Sequence, residues 1–279
     1  MCKFSGVLQS KPHSNGLPLG NRAYFCGMGN IILVTGATSG FGKAIAEKFA
    51  SQGWDCIITG RRKDRLDELA EALTKTYGVK ILPLHFDVQQ REAVFNAINS
   101  IPAEWRSIDV LVNNAGLAAG RDSFNDASID DWDTMIDTNV KGLLYVSKAV
   151  LPFFKAAGKG HIVNIGSTAG KEVYTNGNVY CATKFSVNAI SQAQRIDLLP
   201  FKIKVTAIHP GAAETEFSLV RFKGDEAKAK AIYDGYTPLS AADVADTIWY
   251  CATLPPHICI NDLVITCTAQ ANSYYTYKG

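Results

Sequence analysis

Tyr180 and Lys184 stand four residues apart in the run N-V-Y-C-A-T-K, from Asn178 to Lys184. On a helix that spacing puts both on one face. A phenol is a poor acid or base near neutrality, because its unperturbed pKa is about 10, and an ammonium one turn away favours the phenolate. The pair makes a proton-transfer catalyst if the rest of the chain brings it something to react with. Alone, it is equally what a surface Tyr and Lys on an amphipathic helix look like.

The partner for that chemistry is sought at the glycines. Thr35-Gly36-Ala37-Thr38-Ser39-Gly40-Phe41-Gly42 follows the apolar run Ile31-Ile32-Leu33-Val34 and precedes a helical pattern with Phe41, Ile45 and Phe49 on one face. Small residues at a strand-to-helix turn let the backbone approach a pyrophosphate, whose charge the free N–H groups and the helix dipole favour. The spacing G-x-x-x-G-x-G is not the commoner G-x-G-x-x-G. The strand before it and the helix after it are what make Gly36, Thr38, Ser39, Gly40, Phe41 and Gly42 a dinucleotide-binding turn.

The next strand, Cys56-Ile57-Ile58-Thr59, ends in Gly60-Arg61-Arg62. An NAD enzyme usually presents an acid here to the ribose hydroxyls. This chain instead offers room at Gly60 and two forked guanidiniums, Arg61 and Arg62, which suit a 2′-phosphate. NADP(H) is therefore preferred over NAD(H), the alternative being that the two arginines merely start a solvated helix. Asp55 opens this strand rather than ending it and is rejected as the ribose ligand.

Further strands bring more polar residues to the same edge. Lys80 to Phe86 reads as a third strand despite Pro83, followed by Asp87 and Val88; Asp87 either bonds an adenine amine or caps the next helix. A fourth, Asp109 to Val112, delivers Asn113, Asn114, Ala115 and Gly116, with Asn113 read as both tying strands together and lining the cofactor crevice. Ser128 to Asp131 resembles a capping box with Asp for Glu, and it opens a long helix through Leu144. Asn139 lies within that helix, where a buried amide must be bonded, either as a structural network member or as a holder of ordered water. The fifth strand, His161 to Ile165, brings Ser167 to the edge, although an isolated serine is more often a loop residue or cap.

A sixth strand, Lys202 to Ile208, leads to Pro210, Gly211 and Thr215, then to a lid-like excursion carrying Arg221 and a charged helix from Asp225 to Tyr233. Asp262 to Cys267 supplies a seventh. Strands alternating with helices predict an α/β chain: a single Rossmann-type doubly wound parallel sheet of about seven strands, with helices on both faces.

Length and composition set the bounds. With 279 residues, 47% of them hydrophobic, the chain can bury one substantial core, and residues 29–279 are read as a single domain. Residues 1–28 show neither helical nor strand period and no secretory pattern, and are read as a flexible N-terminal extension. A net charge of +2 with mixed signs gives no basis for nucleic acid or an anionic membrane as partner. Seven cysteines without a C-x-x-C pair fit a reducing compartment and no metal. No apolar run of eighteen residues occurs, so the expectation is a cytoplasmic enzyme.

These motifs, in this order, resemble the short-chain dehydrogenase/reductases over nearly all of residues 29 to 279. They are T-G-x-x-x-G-x-G at Thr35 to Gly42, N-N-A-G at Asn113 to Gly116, Asn139, Ser167, Y-x-x-x-K at Tyr180 to Lys184, and P-G-x-x-x-T at Pro210 to Thr215. Within that family, N-N-A-G-L-A, I-G-S-T-A-G and V-R-F-K-G-D look like the NADP-dependent 3-hydroxy acid dehydrogenases, also called serine or allo-threonine dehydrogenases. The first 28 residues have no counterpart, and Pro210 to Phe217 is about one residue shorter than in that subgroup.

The resemblance implies hydride transfer between NADP(H) and a carbinol carbon. Tyr180 would transfer the hydroxyl proton, Ser167 would bond the reacting oxygen, Lys184 would hold the nicotinamide ribose, and Asn139 would position a water. A small 3-hydroxy acid such as serine, allo-threonine or 3-hydroxyisobutyrate also needs a cation for its carboxylate; Arg221 and Lys171 are the candidates, unless both simply face solvent. A ketone or ketoacyl reductase on the same scaffold is the nearest alternative, and a cofactor-sensing protein without chemistry a more distant one. Relatives form homotetramers or homodimers through the two long helices after strands four and five, where Ile136, Leu143, Phe185 and Leu198 serve either that contact or the core.

Overall fold

The computed structural model describes residues 30–279, so the extension read over residues 1–28 lies outside the described residues. Seven strands form one sheet: β1 (Ile31–Val34), β2 (Asp55–Gly60), β3 (Ile81–His85), β4 (Ile108–Asn113), β5 (Gly160–Ile165), β6 (Ile203–Pro210) and β7 (Asp262–Ile265). Their order is β3-β2-β1-β4-β5-β6-β7, and every pairing is parallel. The continuous apolar runs follow from this, since strands covered on both faces need no alternation. All of Ile31–Val34 is buried. In register, Leu33 faces Ile57 on one side and Leu111 on the other, so β1 and β4 are neighbours at the point where the strand order reverses. A crevice opens at the carboxyl ends of strands that part in this way.

Helices cover both faces. On one, α1 (Gly40–Ser51), α2 (Lys63–Tyr77) and α9 (Ala241–Ala252) press Ile45, Phe49, Leu66, Leu73, Val244 and Ile248 onto the sheet. On the other, α3 (Arg91–Asn99) and α5 (Leu143–Ala157) supply Val94, Ile98, Val146, Val150 and Phe154. Burying a side chain of this size stabilises by about 1.5–3 kcal/mol. The helix α6 (Asn178–Asp197) packs across β5 and β6, where Asn164 Nδ2 donates to its Ser191 Oγ at 2.9 Å and Gln194 Oε1 at 2.8 Å, and two short helices, α7 (Glu216–Arg221) and α8 (Glu226–Ala231), follow β6.

The long helix read through Leu144 is interrupted. α4 (Ile129–Ile136) passes into a π-helical segment, Asp137–Gly142, before α5 begins. The wider turn carries Thr138 and Asn139 inward, where both are buried. Gly142 closes it against Val88: an added Cβ would lie 2.8 Å from the valine side chain. Ser128 makes no side-chain cap, so the capping box expected there is absent; one forms instead at Ser240 and Asp243, at the start of α9. Among the described residues no helix is long and apolar enough to cross a membrane, and no group of His, Cys, Asp and Glu could hold a metal ion.

Candidate active site

The crevice at the carboxyl edge of the sheet has a volume of about 1230 Å³. Its floor is the turn after β1. Gly36 has φ +67° there, and an added Cβ would meet the Ala115 backbone at 3.0 Å; in Gly42 it would meet the Gly36 carbonyl at 2.2 Å. Only glycine permits this turn and the close seating of α1 against it. The amide of Asn114 ties the same turn to β4, donating to the Thr35 carbonyl at 2.8 Å and to that of Gly36 at 3.2 Å.

Tyr180 and Lys184 sit in the first two turns of α6, on the face that lines the crevice, and both are buried. Lys184 Nζ donates to the Ile165 carbonyl at 2.9 Å, which fixes the ammonium against the end of β5. The Tyr180 hydroxyl shares a hydrogen bond with Ser167, whose Oγ also accepts from Ala169 N at 3.1 Å. The end of β5 and the start of α6 thus meet at one phenol. The electrostatics differ from the simple expectation of an ammonium favouring the phenolate. Burial, as the largest influence, pushes the Tyr180 pKa well above the ordinary phenol value, with the Ser167 bond and the Arg221 guanidinium acting against it. Burial also pulls Lys184 down to about 8. A neutral phenol poised as an acid is therefore the resting form.

Asn139 does not line the crevice. Its Oδ1 accepts from Leu117 N at 2.8 Å, and its Nδ2 donates to the Leu117 carbonyl at 2.8 Å and to Thr183 Oγ1 at 3.1 Å. It clamps the loop after β4 to α6, beside Lys184. Asn113 likewise stays out of the crevice, correcting the expectation that it also lines it: its amide donates to Ser147 Oγ and to Asn164 Oδ1, both at 2.9 Å.

The other end of the crevice suits an adenosine bearing an extra phosphate. Arg62 Nη2 donates to Thr38 Oγ1 at 2.9 Å and to Ser39 Oγ at 2.8 Å, while Arg61 faces Asp87 at 3.6 Å. No acid stands at the end of β2; both arginines line the crevice, and Arg62 lies against the glycine turn. Ser39, Gly40, Phe41, Val88, Ala115, Gly116, Pro210, Gly211 and Thr215 line the same continuous space. The residues fit NADP(H): a backbone cradle for the pyrophosphate and two guanidiniums for the 2′-phosphate.

At the lid, Arg221 lines the crevice; its Nη2 donates to the Tyr174 hydroxyl at 2.8 Å, and its Cζ lies 5.4 Å from the Tyr180 ring centre. Its Nε is buried without a hydrogen-bond partner. Lys171 is not among the lining residues. Its Nζ pairs with Asp262 Oδ2 at 2.7 Å, outside the crevice, because the short turn after Ser167 points it towards β7. Several lining residues escaped the sequence reading. Tyr174 gave no signal, and Glu216 receives Arg62 and Arg65 across 154 and 151 residues of chain. The tail wall of Gln270, Ser273, Tyr274 and Thr276 had only an unexplained tyrosine-rich end to mark it.

The chain is similar to proteins of known activity. The chain is 48% identical over 242 residues to the NADP-dependent 3-hydroxy acid dehydrogenase YdfG of Escherichia coli (strain K12), covering 86% of this chain and 96% of that one. It is 47% identical to sulfoacetaldehyde reductase 2 of Chromohalobacter salexigens, over 89% and 98% of the two chains. A closed form of serine dehydrogenase complexed with NADP+ superposes with a TM-score of 0.83 at 46% identity, covering 89% of this chain and 99% of that one. The family model for short chain dehydrogenases matches residues 30–225, and the chain belongs to that family.

Proposed function

We propose that the protein is an NADP-dependent oxidoreductase that oxidises the hydroxyl of small 3-hydroxy acids or reduces the corresponding carbonyls. The observation that carries the reading is the bonded Ser167–Tyr180 pair, with Lys184 on the same wall and a buried guanidinium nitrogen left open beside it. When bound, NADP(H) supplies the acceptor or donor of a hydride. Tyr180 takes or gives the hydroxyl proton, and Ser167 orients the reacting oxygen by bonding it in place of the phenol it now meets. Lys184 holds a positive charge on the wall at the end of β5 and anchors the ribose. Arg61, Arg62 and the glycine turn hold the phosphates.

Arg221 is the cation for the substrate's acid group. A buried Nε without a partner is costly unless a ligand supplies an acceptor, and a carboxylate placed there takes two N–H groups at once. Arg221→Ala should raise KM for a 3-hydroxy acid by about tenfold or more, the loss of one charge-assisted contact, and leave KM for an uncharged alcohol of the same length unchanged. Unchanged selectivity in initial-rate assays would remove Arg221 from this role. Lys171, held by Asp262, is not assigned to it.

A second reading is favoured by one finding. Sulfoacetaldehyde reductases are nearly as similar to this chain as the 3-hydroxy acid dehydrogenases. A sulfonate, like a carboxylate, presents acceptors to Arg221, so reduction of a small acidic aldehyde is the alternative direction for the same site. The described cysteines are all free, which supports a cytoplasmic enzyme. The exposed Ile136, Leu144 and Phe185 on α4, α5 and α6 support a homotetramer or homodimer, whereas Leu143 and Leu198 are core.

A further inference from the structure

His209, the penultimate residue of β6, has no exposed surface and no part in the proton transfer described above. Its ring lies against the turn that presents Ser167. Nδ1 is 3.2 Å from the Ser167 carbonyl oxygen, and Nε2 is 3.2 Å from Asp262 Oδ2. The approach depends on Gly166, where an added Cβ would lie 2.4 Å from Nδ1. We propose that His209 is a positioning residue for Ser167, tying the serine's backbone carbonyl to the edge of the sheet.

Both ring nitrogens face acceptors, so a neutral ring with one N–H can serve only one of them. Burial first, and then the Lys171 ammonium, pull the imidazole below its ordinary pKa, which leaves one N–H near neutrality. Lys171 decides where it goes. Its ammonium already donates to Asp262 Oδ2 at 2.7 Å and approaches Asn188 Oδ1 at 3.4 Å, so the carboxylate is served without the histidine. The ring N–H is then directed to the Ser167 carbonyl, whose other lone pair takes Gly170 N at 2.8 Å. Asp262 and Lys171 are the charged groups recorded against the ring, and together they hold its tautomer.

The carbonyl matters because it sets the tilt of the peptide carrying Ser167. The serine Oγ meets both Ala169 N, at 3.1 Å, and the Tyr180 hydroxyl. A released carbonyl lets that oxygen drift, and small misplacements of a positioned group cost large factors in rate. Lys171, read from sequence as a substrate cation, thus acts one layer further out.

This role rests on the proposed oxidoreductase activity, and paired substitutions separate the two. The side-chain amide nitrogen of His209→Asn falls near the place of Nδ1, and that of His209→Gln near the place of Nε2. The Asn variant should keep kcat within about threefold, while the Gln variant should lose about tenfold in kcat, a modest misplacement, with KM and the dissociation constant for NADP+ unchanged. Thermal unfolding of both variants is followed in parallel. Equal kcat in the two variants, or losses that track the melting temperature, would overturn the positioning role alone. Absence of turnover in the unsubstituted chain would overturn the proposed activity and this role with it.

Discussion

Tyr180→Phe should lower turnover by about 10²–10⁴-fold, the range for removing a positioned acid–base group, while NADP(H) still binds. Tyr180 meets the Ser167 hydroxyl from within the first turn of α6. The substitution keeps the ring and its contact with Phe217, whose centre lies 5.7 Å away, so the fold is retained. The pH dependence carries the sign of the effect. Burial pushes the phenol above its ordinary pKa, so across the neutral range it is protonated. Reduction of a carbonyl consumes that proton and should be nearly flat below pH 8. Oxidation needs the phenolate and should rise with pH over the same range. Lys184 loses its charge near pH 8, which limits both directions above that point. Initial rates in each direction from pH 6 to 9 check this, and near-normal activity in the phenylalanine variant would remove Tyr180 from the mechanism.

The second large effect concerns the cofactor. Replacing Arg61 and Arg62 together by alanine should raise KM for NADP+ by about 10²-fold or more, since each charge-assisted contact is worth about 1.5–3 kcal/mol. KM for NAD+ should change little, because that cofactor has no 2′-phosphate to lose. Arg62 already sits on Thr38 and Ser39, oriented towards the glycine turn, and Glu216 of the lid holds its other nitrogen at 3.2 Å. A double variant that loses both cofactors equally would show that the two arginines support the fold of the turn and do not read the phosphate.

Much of the fold could be read from residues because its signals are local. Ile31–Val34 followed by glycines reports a buried parallel strand and a phosphate turn without help from elsewhere. Tyr180, Lys184 and Arg62 were legible for a similar reason: residue type, spacing and the end of the strand all pointed the same way. Asn139 was visible as a costly amide in an apolar helix. The π-helical widening that turns it inward was not, because one extra residue in a turn hardly disturbs a period of 3.6. Which alternative held for Lys171 was not legible, because sequence cannot give the direction of a side chain leaving a short turn; its Nζ meets Asp262 outside the crevice. The Arg221–Tyr174 contact joins a lid to a loop 47 residues away, and the Gln270–Ala212 contact joins the tail to the loop after β6 across 58 residues; both exist only once the sheet is assembled.

The most direct measurement is an initial-rate comparison of serine, allo-threonine, 3-hydroxyisobutyrate and 3-hydroxypropionate with simple alcohols, each with NADP+ and with NAD+. The site described above should turn over at least one 3-hydroxy acid with NADP+, at a kcat/KM about tenfold or more above that with NAD+ or with an uncharged alcohol, a preference resting on Arg61, Arg62 and Arg221. Preference for uncharged alcohols, equal use of the two cofactors, or no turnover of any member of the panel would contradict it.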